Sequence, residues 1–159
     1  MRFSYQGATC TATYDFSTTC ARDTLLGVLH DYRHIVKYLS ELALTIDSVD
    51  HGPGWNRLRY TYFYVVYTLT VTFMRVRNDS AGTVSFDLEQ AHASSGLIPS
   101  AAAIHGWYHV VPEGDHNRVY YSQTTTMSRD LNRLYAYLIH RELRRFLRRM
   151  ERYINERQY

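Results

Sequence analysis

The residue types that could do acid–base chemistry fall in two segments of the 159-residue chain. Glu142 lies within the apolar side of a helical pattern near the C terminus. Burial there would raise the pKa of its carboxyl group and let it donate or accept a proton. Alternatively, Glu142 lies at the edge of the apolar side and pairs with Arg145 or Arg149 at helical spacing. We treat Glu142 as a catalytic candidate with this structural alternative.

A second candidate group lies in a β pattern, where His105, Trp107 and His109 share one strand face. If this face points inward, an imidazole could act as general acid or base near neutral pH. If Tyr108 and Val110 point inward instead, both histidines face solvent. Four strand residues separate the two imidazoles by roughly 13 Å, which is too far for one metal ion. We expect no metal site.

We name His105 and Arg59 beside Glu142 as catalytic candidates, each able to shuttle a proton in a pocket. Other chemistries find no support, because the sequence contains no Gly-x-Ser-x-Gly elbow, P-loop or dinucleotide fingerprint. We therefore expect no cofactor. Cys10 and Cys20 lack metal-motif spacing, so we predict two reduced thiols, with an isolated Cys10–Cys20 bridge as the alternative.

The length predicts a single domain over residues 1–159. No window holds the 18 or more consecutive apolar residues of a membrane span, and the first residues lack a secretory apolar region. We expect a soluble cytoplasmic protein.

The most regular pattern is the amphipathic one from Ser128 to about Asn155, which predicts one long helix. Its predicted apolar face consists of Leu131, Tyr135, Leu138, Ile139, Leu143, Phe146, Met150, Tyr153 and Ile154. Six arginines take the opposite face: Arg133, Arg141, Arg144, Arg145, Arg148 and Arg152.

The segment from Arg129 to Arg157 holds nine arginines and four acidic residues, a net charge of +5 in a chain whose total is +3. This basic face could contact RNA, an anionic membrane or an acidic partner, or it could simply be a solvated surface. We expect no DNA partner, and the sequence does not determine the oligomeric state.

The preceding chain supplies the surface on which this helix lies. A strand is predicted from residue 2 to about 14, followed by helices from about Cys20 to His30 and from Tyr32 to Leu39, the second capped by Asp31. From Glu41 to Met127 the pattern is β. The run from Trp55 to Arg77 predicts two strands that fold back near Val65-Val66. This register sets three pairs on one face: Tyr62 with Leu69, Tyr60 with Val71, and Leu58 with Phe73.

Further along, a strand is predicted from Thr83 to Gln90, a loop over Ala91 to Ala103, and a hairpin around Pro112-Glu113-Gly114-Asp115. The predicted order is a strand, two short helices, six strands and the long helix.

This order resembles the START-like, helix-grip superfamily, which includes plant pollen-allergen (Bet v 1-like) relatives, polyketide cyclases and lipid-transfer domains. The segment from Leu25-Leu26-Gly27 to Val36-Lys37-Tyr38 is similar to the hinge between the family's two small helices. Gly106-Trp107-Tyr108 through Pro112-Glu113-Gly114 is similar to its penultimate hairpin. The resemblance implies an α+β fold, in which a curved seven-stranded antiparallel sheet wraps around the C-terminal helix. Two short helices follow the first strand, and an elongated apolar cavity lies between sheet and helix.

Such a cavity would bind a small hydrophobic ligand such as a lipid, an isoprenoid or a polyketide. A polyketide cyclase or dehydratase using the same cavity is the alternative, and an interaction module using the arginine-rich face is a second. The fifteen tyrosines fit a pocket, but they could equally fill the core themselves. The predicted lining residues are Tyr60, Tyr62, Tyr64, Leu69, Val71, Phe73, Phe86, Leu88, Trp107, Tyr121, Tyr135, Leu138, Ile139 and Phe146.

Overall fold

A computed structural model describes residues 1–39, 44–63, 68–95 and 99–157 of the chain. Within these ranges the secondary structure consists of eight strands and three helices. In chain order the elements are β1 (Arg2–Gln6), β2 (Thr9–Thr18), α1 (Arg22–His30), α2 (Tyr32–Leu39), β3 (Leu44–Gly52), β4 (Trp55–Phe63), β5 (Thr68–Asn78), β6 (Thr83–Ala93), β7 (Ala101–Glu113), β8 (His116–Met127) and α3 (Arg133–Asn155).

The strands form one antiparallel sheet in the order β1-β2-β8-β7-β6-β5-β4-β3. The predicted fold class is confirmed, but the predicted strand over residues 2 to 14 is wrong in detail. It is a hairpin, because Gly7 adopts a φ of 57° that a side chain would disfavour and so reverses the chain between β1 and β2. In the described part of the chain the sheet therefore has eight strands rather than seven, and the two short helices follow β2.

The predicted register of β4 on β5 is confirmed. Tyr62 pairs with Leu69, Tyr60 with Val71, and Leu58 with Phe73. The predicted turn at Val65-Val66 lies outside the described residues. In the turn between β3 and β4, Gly54 adopts a φ of 74°. β6 reaches Ala93 and β7 begins at Ala101, so the predicted loop from 91 to 103 is shorter than expected.

Three irregularities in register interrupt the strand pairing. They lie between Ile46 and Ser48 in β3, between Thr72 and Phe73 where β5 meets β6, and between Ala101 and Ala103 in β7. At the second, Leu88 pairs with Phe73 and Gln90 with Thr72, which leaves Glu89 as the extra residue of β6. Such bulges bend a strand and increase its twist, so they help the sheet to curve.

The short helices begin and end close to their predicted limits. α1 starts at Arg22 rather than Cys20, and no side chain caps it, because its N-cap residue is Ala21. Thr18 Oγ1 accepts from the backbone N–H of Cys20, ahead of the helix. Asp31 caps α2 as predicted, since its Oδ1 accepts from the backbone N–H of Arg33 at 2.9 Å.

The long helix α3 begins later than the sequence pattern suggests. Asn132 caps it by accepting from the backbone N–H of Tyr135 at 2.9 Å, so the helix starts after Asn132 and not at Ser128. Burial concentrates toward the C-terminal end, on Ala136, Leu147, Met150, Tyr153 and Ile154.

α3 packs on β2 and α2. Tyr14 of β2 donates a hydrogen bond to Glu151, and Phe3 of β1 stacks on His140 with ring centroids 5.1 Å apart. The interior therefore lies between the sheet, α2 and the C-terminal half of α3. Both cysteines are buried free thiols. None of the described helices is long and apolar enough to cross a membrane.

Candidate functional site

Tyr108 and Val110 lie on the inner face of β7, and Trp107 lies on its outer face. Tyr108 and Val110 are 1% and 2% exposed, whereas Trp107 is 38% exposed and contacts the His109 ring on the outer face. His105 also points outward, where its Nδ1 lies 2.5 Å from Asp87 Oδ1. The predicted placement of Trp107 and His105 in the pocket is therefore wrong, because strand alternation turns Tyr108 and Val110 inward.

Arg59 also lies on the outer face of the sheet. It pairs with Thr72 across β4 and β5, and its Nε lies 4.0 Å from Asp47 Oδ2. Together with Thr70, Glu89 and His92 it lines an open groove of about 410 Å³ on that face. This groove is separate from the predicted pocket, so the expectation that Arg59 reaches the interior is wrong.

Glu142 takes the structural alternative that the sequence left open. Its Oε1 accepts from Arg141 Nε at 3.1 Å and from Arg145 Nη1 at 3.4 Å, on the solvent side of α3. The carboxylate thus has two cationic partners, and its side chain is 39% exposed rather than buried in the interior.

Most other predicted lining residues do lie on the inner face. Tyr60, Val71, Phe73, Phe86 and Tyr121 are buried, and Tyr62, Leu69, Leu88 and Phe146 are partly buried against them. Tyr135, Leu138 and Ile139 are half-buried on α3, and Tyr64 lies outside the described residues. That these residues bind a ligand remains a prediction.

The aromatic side chains of the inner face contact one another in a continuous layer. Tyr60 stacks on Phe73 at 5.9 Å between centroids, Phe73 meets Phe86 edge-on at 6.3 Å, and Phe86 stacks on Tyr121 at 6.0 Å. Gly106 of β7 makes this possible, because a Cβ there would overlap the Phe86 ring and the Ser122 carbonyl oxygen. Much of the space between sheet and α3 is thus occupied by rings.

A charged residue that was not among the predicted site residues lies within this aromatic layer. Arg75 of β5 is only 6% exposed, and its Cζ lies 5.6 Å from the centre of the Phe86 ring. It follows Val71 and Phe73 at strand spacing, so the alternation that turns those two residues inward also buries Arg75. That alternation was the signal available in the sequence.

Tyrosine hydroxyl groups surround the Arg75 guanidinium. Tyr60 and Tyr108 hydrogen-bond to it, and Tyr38 interacts with it electrostatically. Burial raises the pKa of Tyr108 to about 12 and also raises that of Tyr38 and Tyr60, although the nearby guanidinium opposes the shift. All three phenols are therefore neutral near pH 7.

Two further polar side chains lie beside Arg75. Asn56, its cross-strand neighbour on β4, is 3% exposed and donates from Nδ2 to His30 Nε2 at 3.1 Å and to the His30 carbonyl oxygen at 2.8 Å. Burial lowers the pKa of His30, and the positive charges of Arg75 and Arg77 lower it further.

The site thus combines a permanent positive charge, neutral phenol donors and aromatic surface. A guanidinium stays protonated at any ordinary pH and only donates hydrogen bonds, so it can hold or polarise an acceptor but cannot serve as a general base near neutrality. Among the described residues, no group of three or more histidine, cysteine, aspartate or glutamate side chains is placed to hold a metal ion.

The arrangement of a curved antiparallel sheet, two short helices and a long C-terminal helix defines the START-like, helix-grip fold of the Bet v 1 type. The chain has this fold. A START superfamily protein from Mycobacterium smegmatis matches it with a TM-score of 0.66 at 10% identity, over 92% of this chain and 97% of that one.

Two further solved structures show the same likeness. Ginseng major latex-like protein 151 from Panax ginseng matches with a TM-score of 0.63 at 16% identity, over 95% of this chain and 98% of that one. The Zhui aromatase/cyclase from Streptomyces sp. R1128 matches with a TM-score of 0.59 at 12% identity, over 75% and 68%. No protein-family model and no curated protein matches the sequence.

Proposed function

We propose that this protein binds a small hydrophobic molecule between the sheet and α3. The observation that carries the proposal is the buried Arg75, set among aromatic rings on the inner face. A core selected only for stability gains little from an unpaired buried cation, because desolvating the charge costs several kcal/mol by typical estimates. A polar anchor within apolar surface is instead the usual composition of a ligand site.

The contacts of the aromatic residue Tyr38 support the same proposal. Tyr38 of α2 contacts Phe146 and Tyr153 of α3 at 5.7 and 5.8 Å between centroids and also interacts with Arg75. A ligand bound near Arg75 would therefore touch the sheet, α2 and α3 together. A lipid, an isoprenoid or a polyketide would each bury apolar surface there, at about 25 cal/mol per Å². A cytoplasmic location is part of this proposal.

The proposal is tested by titration with the neutral fluorophore N-phenyl-1-naphthylamine, with native mass spectrometry to count bound molecules. We expect saturable binding of one molecule. Leu69→Trp, which adds bulk on the inner face of β5, should weaken binding about tenfold or more. Val76→Trp, which introduces the same side chain at a 45% exposed site on the same strand, should leave binding within about twofold.

Circular dichroism establishes that both variants are folded. Absence of saturable binding to the unmodified protein would refute the proposal, as would equal loss of binding in the two variants.

A second candidate function is a polyketide cyclase or dehydratase that uses the same interior. The specific observation is that Tyr60 and Tyr108 hydrogen-bond to a cation, which makes them suitable donors to the carbonyl oxygen of a poly-β-keto chain. The likeness to the Zhui aromatase/cyclase agrees with this candidate. The test compares product ratios from a poly-β-keto substrate with the unmodified protein and with Tyr108→Phe. Unchanged ratios would remove the catalytic role.

A contact of the arginine-rich face of α3 with RNA or an anionic membrane remains a prediction. If such contacts form, binding should weaken steeply with added salt, because phosphate contacts release counterions.

A further inference from the structure

The charge environment of Arg75 differs from that of the arginines that form ion pairs in the described ranges. Arg57, Arg77 and Arg118 each meet a carboxylate within 2.7 Å. None of the ion pairs found within those ranges includes Arg75.

The acidic residues on the neighbouring strand β6 and in the turn before it pair with other side chains. On β6 and in the turn that precedes it, Asp87 meets His105, Glu89 meets Arg57, and Asp79 meets Arg77. Arg75 is thus buried and has no carboxylate counter-ion among the described residues.

Several hydrogen-bonding groups beside Arg75 also lack a protein partner in the described part of the chain. They are Nε and Nη1 of Arg75, the hydroxyl oxygen of Tyr38, and Oδ1 of the cross-strand neighbour Asn56, all of them inaccessible to solvent. Leaving a buried donor unpaired costs about 1–3 kcal/mol, and more when the group is charged. Two guanidinium donors beside the Phe86 ring and the Tyr38 hydroxyl that interacts with them therefore lack an acceptor, and Asn56 Oδ1, although an acceptor, bonds to none of them.

The neutral phenols do not meet this need. Tyr60 and Tyr108 hydrogen-bond to the guanidinium, but they remain uncharged near pH 7, as argued above, and so do not neutralise it. His30 and Asn56, on the side of α1 and β4, supply no negative charge either. The species that would satisfy both the charge and the free donors is an anion.

We propose that the interior site binds the anionic head group of an amphiphile, with Arg75 as its counter-ion and the aromatic layer against its apolar body. This inference rests on the proposed function and narrows the ligand class to hydrophobic monoanions such as carboxylates. A charge-assisted hydrogen bond in a desolvated site is about twice as strong as a neutral one, so the negative charge should dominate selectivity.

The test uses two fluorophores with the same ring skeleton. The anion 1-anilinonaphthalene-8-sulfonate differs from N-phenyl-1-naphthylamine by one sulfonate group. We expect the unmodified protein to bind the sulfonate at least about tenfold more tightly at pH 7.5. Because this anion also binds exposed apolar surface, 2-naphthoate and methyl 2-naphthoate are used as competitors. We expect the carboxylate to displace the probe at least about tenfold more effectively than its ester.

Two matched variants locate the effect. Arg75→Gln should lower affinity for the sulfonate at least about tenfold and change affinity for the neutral amine less than about threefold. Arg77→Gln removes the same charge two residues along β5, from a side chain already paired with Asp79, and should leave the preference for the anion intact. Arg75→Lys, which keeps the charge, should retain part of the preference and serves if Arg75→Gln does not fold.

The outcomes separate the two proposals. Equal affinities for the two fluorophores, together with equal competition by naphthoate and its ester, would overturn the head-group inference while leaving hydrophobic binding standing. A preference for anions that persists in both Arg75 variants would also overturn it, because the charge recognised would lie elsewhere. Failure of both fluorophores to bind would overturn the proposed function itself.

Discussion

His30 connects the buried polar site to the pH dependence of stability. Its pKa is lowered by burial and by Arg75 and Arg77, so below about pH 6.5 the unfolded state binds a proton that the folded state resists. We expect the free energy of unfolding to decrease as the pH falls from 7.5 to 5. For one proton the slope stays below about 1.4 kcal/mol per pH unit, and partial exposure of the ring reduces it further. Urea denaturation at several pH values measures this slope.

The matched control for this prediction is an exposed histidine. His30→Gln should flatten the slope, whereas His51→Gln, on the exposed end of β3, should not change it. Some slope should remain in His30→Gln, because burial also lowers the pKa of His34. Identical profiles for all three proteins would show that protonation of His30 does not oppose folding.

At the residue scale, inward-facing apolar positions were predictable and the polar site was not. Alternation correctly placed Tyr60, Val71 and Phe73 inside, because apolar burial and strand geometry agree there. The same rule buries Arg75. A charged residue is ordinarily expected to face solvent, so the alternation was not applied to Arg75. The tyrosines around Arg75 come from α2, β4 and β7. A sequence pattern does not show which of these distant segments pack against one another.

At the scale of elements, α3 is anchored mainly through its C-terminal half. Leu147 is fully buried, whereas Leu134 is 62% exposed near the N-terminal end. We expect Leu147→Ala to lower the free energy of unfolding by about 2–5 kcal/mol, from lost burial and the cavity left behind. Leu134→Ala should change it by less than about 0.5 kcal/mol. Both substitutions are leucine to alanine in one helix, so helix propensity cancels, and chemical denaturation compares them directly. Similar losses at the two sites would contradict this packing.

The elements themselves were largely predictable where a local residue fixes a boundary. Asp31 separates α1 from α2, Gly54 and Gly114 adopt positive φ at hairpin turns, and the β4–β5 register follows from matching apolar positions. Two boundaries were not predictable. Gly7 lies within a segment that alternates like one strand, and Asn132 competes with Ser128 and Asp130, all of them good caps, so only the tertiary structure selects among them.

At the scale of the whole molecule, the two cysteines report on global unfolding. Cys10 is 2% exposed and Cys20 5%, and burial raises the pKa of Cys10, which lowers its thiolate fraction. We expect neither thiol to react with a chromogenic disulfide reagent within minutes in buffer, and both to react in concentrated guanidinium chloride. Ser80→Cys, on an exposed turn, provides the reactive control. Rapid modification of either native thiol would mean that its surroundings open without global unfolding.

The extra residue of β6 has a consequence for how this chain tolerates changes in length. Glu89 lets even-numbered Leu88 and odd-numbered Ala91 face the same side of the sheet, with partners Phe73 and Val71. Deleting Glu89 would leave both residues facing inward but straighten the strand and remove the partner of Arg57. Descendants of this gene should therefore accept substitutions at Glu89 more readily than its deletion. The presence of a residue at this position determines how strongly the sheet bends, and it does not change which side chains face the interior.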